Sequence, residues 1–456
     1  MFKKVAVNNR GAVARRIIRA LASLKVKSVV FCSEADKFMP YVREADEYRI
    51  IGPAPPQDSY LNHGRVLAAV KECRADALHP GYGFLAEDTC LAGKLTEMGV
   101  KFIGPKPELL TVFGDKVAAQ NEMAKRGLPI NMATGILTGS PEEKISQVKK
   151  LGFPVLIKPA GGGGGIGMIP VFSEDKLASA LETAESQALR GFGRGQLYAE
   201  RLIADPRHVE FQIVGDGQGG AFHLFERDCS IQRRRQKVIE EAGAPNISQA
   251  ELAVLAGKAT EVMASLGYDH VGTVETLYSP ETGFCFLEVN PRLQVEHAVT
   301  EEITGADLVT LQLQLASGAT VSQLPPPPEK PAGHAVEARI YAEDSQRFLP
   351  SPGMLKVFRP PKGPGIRVET GYERKSMVTP YYDPMVAQVI AKGRSREAAL
   401  NLLDEALAAF DIDGIKTNIT FLRRMLAYPP FRSGDVQTSL TEKLLKEPDY
   451  KALFEK

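Results

Sequence analysis

Residues 272–278 and 283–290 flank Ser279-Pro280-Glu281-Thr282 and read as an antiparallel hairpin. A turn centred between Glu281 and Thr282 puts Glu275 directly opposite Glu288, and Asn290, two residues further on, shares their face. Leu277, Phe284 and Phe286 are expected on that face too, so it is at least partly buried. Two facing carboxylates repel by a few tenths to about 1 kcal/mol even when exposed, and burial adds to that cost. A divalent cation removes it, because two carboxylates and an amide oxygen are hard ligands of the kind magnesium takes. The alternative is a wet hairpin whose acids pair with lysines or arginines elsewhere.

A second chemical feature is Lys158-Pro159-Ala160 followed by six glycines in the seven positions 161–167. Without side chains, backbone N–H groups can wrap a phosphate. No Gly-Lys-Ser/Thr follows and no helix opens directly after it, so it is not a P-loop. It also lacks the first-strand setting of a dinucleotide fingerprint. A flexible hairpin tip is the other reading, but a lysine closing the preceding strand favours phosphate. With such a loop upstream, magnesium holding nucleotide phosphates becomes the better account of the paired carboxylates.

Pro291-Arg292-Leu293-Gln294-Val295-Glu296-His297 follows the hairpin directly. Arg292 continues the period-two face of Glu288 and Asn290, and its fork suits a planar oxyanion such as bicarbonate or a carboxylate. Glu296 is placed to serve as a general base. His297 reads as a packed histidine, since no second histidine stands at metal spacing. The eleven positions after Glu226 hold five basic residues (Arg227, Arg233, Arg234, Arg235, Lys237). Without interleaved aromatics this is not a stacking surface for nucleic acid, and positive charge around anionic substrates fits better.

The elements that must position these groups are of two kinds. Up to Ile103, short apolar runs (residues 4–7, 27–31, 48–51, 76–78 and 101–103) alternate with amphipathic stretches such as 11–24 and 65–73. That pattern predicts a parallel, doubly wound sheet, with functional groups beyond the strand ends, at Asn8-Asn9-Arg10-Gly11 and His79-Pro80-Gly81-Tyr82-Gly83-Phe84. After Gly114 strand follows strand, which predicts an antiparallel α+β unit. Leu324-Pro325-Pro326-Pro327-Pro328-Glu329-Lys330-Pro331 is the clearest boundary, because a proline run cannot sit in a helix or central strand. Strands and helices, one over 396–410, mix beyond it.

Composition excludes several classes. With 56 Lys+Arg against 55 Asp+Glu, the formal charge of +1 argues against a protein that coats nucleic acid or a membrane surface. The 44% hydrophobic and 24% charged residues are those of a soluble globular chain. At roughly 150 residues per domain, 456 residues suggest about three domains. No apolar run approaches the ~18 residues of a membrane span, and the apolar start ends at Asn8, too soon for a signal peptide. Five cysteines without a Cys-x-x-Cys pair read as free thiols in a reducing cytoplasm, with no cysteine metal site expected.

Taken in order, Asn9-Arg10-Gly11, His79 to Leu85, Gly114-Asp115-Lys116, the glycine run, Pro206 to Glu210, Glu226 to Ser230, Asn290 to His297 and Pro380-Tyr381-Tyr382-Asp383 resemble biotin carboxylase, a family of the ATP-grasp superfamily. The resemblance covers essentially the whole chain. It implies an N-terminal doubly wound α/β domain (1–113, pre-ATP-grasp), an α+β ATP-grasp domain (114–330) with a small mobile lid at about 130–203, and a C-terminal α+β domain (331–456). The implied enzyme is an ATP-dependent ligase. ATP and bicarbonate form carboxyphosphate; this yields carbon dioxide and phosphate; the phosphate takes the biotin N1 proton, and the enolate attacks carbon dioxide.

By the same resemblance, Lys116, Lys158, Gly164 and Gly165 meet the ATP phosphates, and Glu200, Arg201, Leu202 and Ile203 line the adenine hinge, with His208 and Arg235 also in the nucleotide pocket. Glu275 and Glu288 serve both ATP and, with Asn290, magnesium or manganese. Lys237, Arg292, Gln294, Val295 and Glu296 hold bicarbonate, with Glu296 as base. Arg339 stabilises the biotin enolate, and Tyr82 lies beside biotin. Two departures from the family pattern are Ile166, where an arginine or lysine is usual, and Arg235, where histidine is frequent. The chain has no Met-Lys-Met, so biotin is expected on a separate carboxyl carrier protein, with carboxyltransferase subunits completing a complex of the acyl-CoA carboxylase type in fatty acid metabolism. A cytoplasmic homodimer is expected, with neither nucleic acid nor membrane as partner. The alternatives are another ATP-grasp ligase joining a carboxylate to an amine, and a degenerate paralogue acting as a scaffold.

Overall fold

The computed structural model describes residues 1–161 and 167–454. Gly164, Gly165 and Ile166 therefore lie outside the described residues. The first five strands, β1 (Lys4–Val7), β2 (Lys27–Cys32), β3 (Glu47–Ile50), β4 (Ala77–His79) and β5 (Lys101–Phe102), form a wholly parallel sheet in the order β3-β2-β1-β4-β5. The helix Gly11–Ser23 buries Val13, Ile17, Ile18 and Leu21, the apolar stripe of its 3.6-residue period. Asn62 and Asp88 cap the helices His63–Cys73 and Thr89–Glu97 through their side chains.

Beyond the carboxyl ends of β1 and β4, Asn9 Nδ2 donates to the carbonyls of Pro80 (2.6 Å) and Tyr82 (2.8 Å). Gly81 makes this close approach possible: its φ is +69°, and a Cβ there would meet Asn9 Nδ2 at 2.7 Å. Asn9 thus fixes the loop that carries Tyr82.

Four antiparallel strands, β6 (Ala133–Ile136), β7 (Val155–Pro159), β8 (Ile169–Val171) and β9 (Leu197–Arg201), make a small sheet in the order β6-β9-β7-β8. It has its own core, in which Leu177, Leu181 and Ala184 of the helix Leu177–Phe192 pack on Val155, Ile157 and Ala199. Lys158 and Glu200 lie on the adjacent strands β7 and β9.

The largest sheet is antiparallel throughout. It comprises β10 (Arg207–Gly215), β11 (Ala221–Arg233), β12 (Gln236–Ala242), β13 (Val271–Ser279), β14 (Gly283–Asn290) and β15 (His334–Tyr341). The short pairs β16 (Gly353–Met354) with β19 (Met377–Val378), and β17 (Val357–Arg359) with β21 (Asp411–Asp413), stand apart from it. β18 (Ile366–Glu369) and β20 (Met385–Gly393) complete the sheet, in the order β14-β13-β10-β11-β12-β15-β20-β18. Because β12 pairs with β15, one sheet joins strands from both sides of the proline segment.

Alternation sorts its two faces. Val209, Phe211, Ile213 and Val274 pack under Leu252, Leu255 and Ala259 of the helix Gln249–Ser265. Glu210 and Glu275 are left for the other face. Glu275 and Glu288 are opposed as expected, but the register then shifts: Thr276 pairs with Phe286 and Ser279 with Gly283, leaving Leu287 as the extra residue of a bulge. Phe284 and Phe286 consequently take the opposite face, in the core with Val274 and Tyr278, which corrects the expectation that they flank the carboxylates. No helix among the described residues is long and apolar enough to cross a membrane.

Candidate active site

A row of charged residues crosses four strands: Glu288 of β14 stands opposite Glu275 of β13, Glu275 opposite Glu210 of β10, and Glu210 opposite Arg227 of β11. Three neighbouring carboxylates repel, so cations must meet them. Arg227, fully buried, donates to Glu210, Gln212 (2.9 Å), Thr300 (2.9 Å) and Thr273 (3.2 Å). Lys237 Nζ, from β12, donates to Glu210 Oε2 (2.7 Å), Glu275 Oε1 (2.8 Å) and Glu296 Oε1 (2.7 Å). Burial works against the Lys237 charge, yet Glu210, Glu275 and Glu296 together hold its pKa well above the ordinary lysine value. Burial likewise opposes ionisation of Glu275, but Lys237 and His208 keep it well below the usual carboxylate range.

At one end of the row Lys116 Nζ lies 3.3 Å from Glu288 Oε2. Lys158 is buried, 3.0 Å from Glu200 Oε1, an oxygen that also accepts from Gln120 Nε2 (2.6 Å). Burial pushes Lys158 down, Glu200 pulls it up, and the like charge of Lys116 pushes it down again. Two ammonium groups that repel across one space favour an anion between them, as a nucleotide's phosphates would be. His208 Nε2 lies 2.9 Å from Glu275 Oε2, and its Nδ1 lies 2.9 Å from Gln232 Nε2. Arg235 Nη2 donates to the Met168 carbonyl (3.4 Å), linking β11–β12 to the start of β8. Arg201, Leu202 and Ile203 line a cleft of about 600 Å³ with Tyr278 and Val436.

At the other end Arg292 lies just past the end of β14, yet still turns onto Asn290 Oδ1 (2.9 Å), Gln294 Oε1 (2.9 Å) and Glu87 Oε1 (2.5 Å). Gln294 Nε2 in turn donates to Glu275 Oε1 (2.9 Å). Glu296, at the N-cap of the helix His297–Thr304, is fully buried and accepts from Arg339 Nη2 (2.9 Å) as well as Lys237. Burial would raise Glu296, but Lys237, Arg339 and Arg227 hold it below the carboxylate range. His297 is packed, its Nδ1 against the Gln294 carbonyl (2.8 Å). Tyr82, Arg292, Val295, Arg339, Tyr341 and Tyr382 border a cavity of about 360 Å³.

The structure therefore groups most of the expected residues along one path, from Lys116 and Lys158 through Glu288, Glu275 and Lys237 to Glu296, Arg339 and Tyr82. Arg201, Leu202 and Ile203 continue directly from Glu200 at the end of β9. Glu210 and Arg227 lie inside motifs that carry the family resemblance, without a role assigned from it; they are revealed as the buried charge balance of the row. Their signal was an acid and a base placed opposite each other in the consecutive strands β10 and β11, both of them buried. Glu275, Glu288 and Asn290 fit a hard cation: their oxygens share one face, and lysines already sit against both carboxylates.

Family descriptions match three consecutive stretches: "Biotin carboxylase, N-terminal domain" residues 1–110, "Carbamoyl-phosphate synthase L chain, ATP binding domain" residues 115–324, and "Biotin carboxylase C-terminal domain" residues 337–443. The biotin carboxylase of Halalkalibacterium halodurans is 43% identical over 98% of this chain and 98% of its own. A pyruvate carboxylase subunit from Methanothermobacter thermautotrophicus is 41% identical over 97% of this chain and 90% of its own. The biotin carboxylase domain dimer of Hydrogenobacter thermophilus 2-oxoglutarate carboxylase, solved with MgADP, ADP and bicarbonate, superimposes with a TM-score of 0.93 at 37% identity, covering 98% of this chain and 99% of that one.

Proposed function

The chain belongs to the biotin carboxylase family of ATP-dependent ligases, and from that premise we propose that it carboxylates biotin borne on a separate carrier protein, as the first half-reaction of a multisubunit carboxylase. The observation that carries the reading is Glu296, a buried carboxylate gripped by Lys237 on one oxygen and Arg339 on the other. It stands between the phosphate-facing lysines and the Tyr82 cavity.

In this reading Lys116 and Lys158 bind the ATP phosphates, and Glu275, Glu288 and Asn290 hold magnesium or manganese. The ion, when bound, would neutralise phosphate charge during transfer. Arg292, Gln294 and the Val295 backbone orient bicarbonate, and Lys237 exchanges one of its three carboxylate partners for the substrate. Glu296, kept ionised by its two cations, accepts the bicarbonate proton as a bicarbonate oxygen attacks the γ-phosphorus. Carboxyphosphate then breaks into carbon dioxide and phosphate, and the phosphate removes the biotin N1 proton. Arg339 offers N–H donors to the enolate oxygen that develops, beside Tyr82. Burial of the row keeps water from the labile intermediate.

A biotin carboxyl carrier protein, carboxyltransferase subunits and a second copy of this chain are the proposed partners; a solved domain dimer and a relative that is itself one subunit of a carboxylase support these. The chemistry assigned to this chain ends at carboxybiotin, and the acceptor, an acyl-CoA in this reading, is chosen by the transferase. The test is ADP release from ATP with purified protein, magnesium, bicarbonate and free biotin. Release that needs bicarbonate and rises with biotin supports the proposal. An equal rate without bicarbonate favours a carboxylate–amine ligase, and no turnover with retained carrier binding favours a scaffold.

A further inference from the structure

The sheet face beneath the helix His297–Thr304 holds a second set of acids. Glu240 of β12 stands directly across from Glu337 of β15, and both are fully buried. Two residues along β15, on the same face, Arg339 stands across from Gln388 of β20. Ala298, Val299 and Ile303 of the covering helix pack with Ala242, Ala335 and Ile390 on that face and seal it with apolar side chains.

Within this layer Arg339 Nε lies 2.7 Å from Glu240 Oε1, while its Nη2 donates to Glu296 Oε2 at 2.9 Å. Gln388 Nε2 is shared between Glu337 Oε1 (2.7 Å) and the Val295 carbonyl (2.8 Å). Two acids thus stand against the guanidinium, one at Nε and one at Nη2, and the residue also borders the Tyr82 cavity. Opposed buried acids are unfavourable compared with a well-packed apolar pair of similar volume. Their presence calls for an account in terms of what they hold, and what Glu240 holds is Arg339.

We propose that Glu240 is a positioning residue for the biotin half of the reaction, fixing the Arg339 guanidinium so that its cavity-facing edge meets the biotin ureido oxygen. The proposal rests on the carboxylation reading above. Glu296 alone leaves Arg339 free to rotate about one contact, and a second carboxyl group 2.7 Å from Nε restrains it through charge. Glu337, opposite Glu240 and tied through Gln388 to Val295, joins this support to the bicarbonate-binding segment.

The test compares full-length wild type, Glu240→Gln and Glu240→Asp for biotin and ATP kinetics, with thermal unfolding alongside. Glu240→Gln keeps the shape but replaces the carboxyl group beside Arg339 Nε by an amide. It should lower kcat/KM for biotin by about tenfold or more while the ATP KM stays within about twofold, and Glu240→Asp should recover a large part of the loss. Biotin kinetics within about twofold of wild type in Glu240→Gln, or parallel losses in biotin and ATP parameters with a lowered unfolding temperature, would overturn it. A wild type without any biotin stimulation would instead overturn the carboxylation reading, and this proposal with it.

Discussion

Arg227 lies directly opposite Glu210 across β10 and β11 and donates to its carboxylate, with both side chains fully buried. This pair closes the row of three neighbouring carboxylates and leaves Lys237 available to Glu275 and Glu296. Without it, Lys237 would be the remaining side-chain ammonium or guanidinium against Glu210 among the described residues.

Arg227→Met should therefore destabilise the fold strongly. Removing one partner of a buried ion pair leaves the other charge uncompensated, at a cost of about 3–5 kcal/mol. Urea unfolding checks this. The double change Arg227→Met with Glu210→Leu should recover much of the loss, because no orphan charge remains.

Glu288→Lys should abolish turnover while the protein stays folded. The residue is only partly buried and its main partner is Lys116, so the change costs little stability, whereas a cation at that position would repel magnesium. Biotin-dependent ADP release should fall by at least about 100-fold; near-normal activity would refute the metal assignment.

Stability should depend on pH in two opposite ways. Glu275 and Glu296 have folded pKa values below the ordinary value of about 4.3. Their contribution is complete above that value and is lost only as pH falls toward their folded pKa values. Glu337 is raised to about 7, by burial first, with Arg339 opposing. Its folded form binds a proton that the unfolded chain has released, so stability falls as pH rises from about 4.3 through 7. Glu337→Gln, a neutral isostere, should reduce the drop in urea midpoint between pH 5 and pH 8; an unchanged drop would count against it.

If Lys158 binds ATP phosphates as proposed, Lys158→Met should raise the ATP KM by about tenfold or more with a smaller effect on the biotin KM, since Lys158 does not border the Tyr82 cavity. Initial-rate kinetics with each substrate varied in turn measure both.

Much of this was legible in the residues, for local reasons. Strands β1 and β2 announce themselves because each is a short, mostly apolar run, β1 with a stretch of helical period directly after it. The opposition of Glu275 and Glu288 was expected from a turn centred between Glu281 and Thr282, but the turn is centred on Glu281 and the extra residue Leu287 restores the pairing. Nothing near Leu287 marks that extra residue, and the misplaced turn centre is what put Phe284 and Phe286 on the wrong face. Contacts between distant strands were equally hidden: that Lys237 meets three acids and that Glu240 faces Glu337 depend on sheet order. The proline segment suggested a clean break, yet the β12–β15 pairing carries one sheet past it. The roles of Lys237 and Arg339 came from resemblance, and the structure adds which atoms hold them.

The most direct test of the carboxylation chemistry is an oxygen tracer. With ¹⁸O-labelled bicarbonate, magnesium, ATP and free biotin, attack of a bicarbonate oxygen on the γ-phosphorus leaves that oxygen on phosphate when carboxyphosphate breaks. The account predicts one ¹⁸O in each phosphate released during biotin-dependent turnover. Phosphate without ¹⁸O, its one new oxygen drawn from water, at an undiminished rate of ADP release, would contradict it.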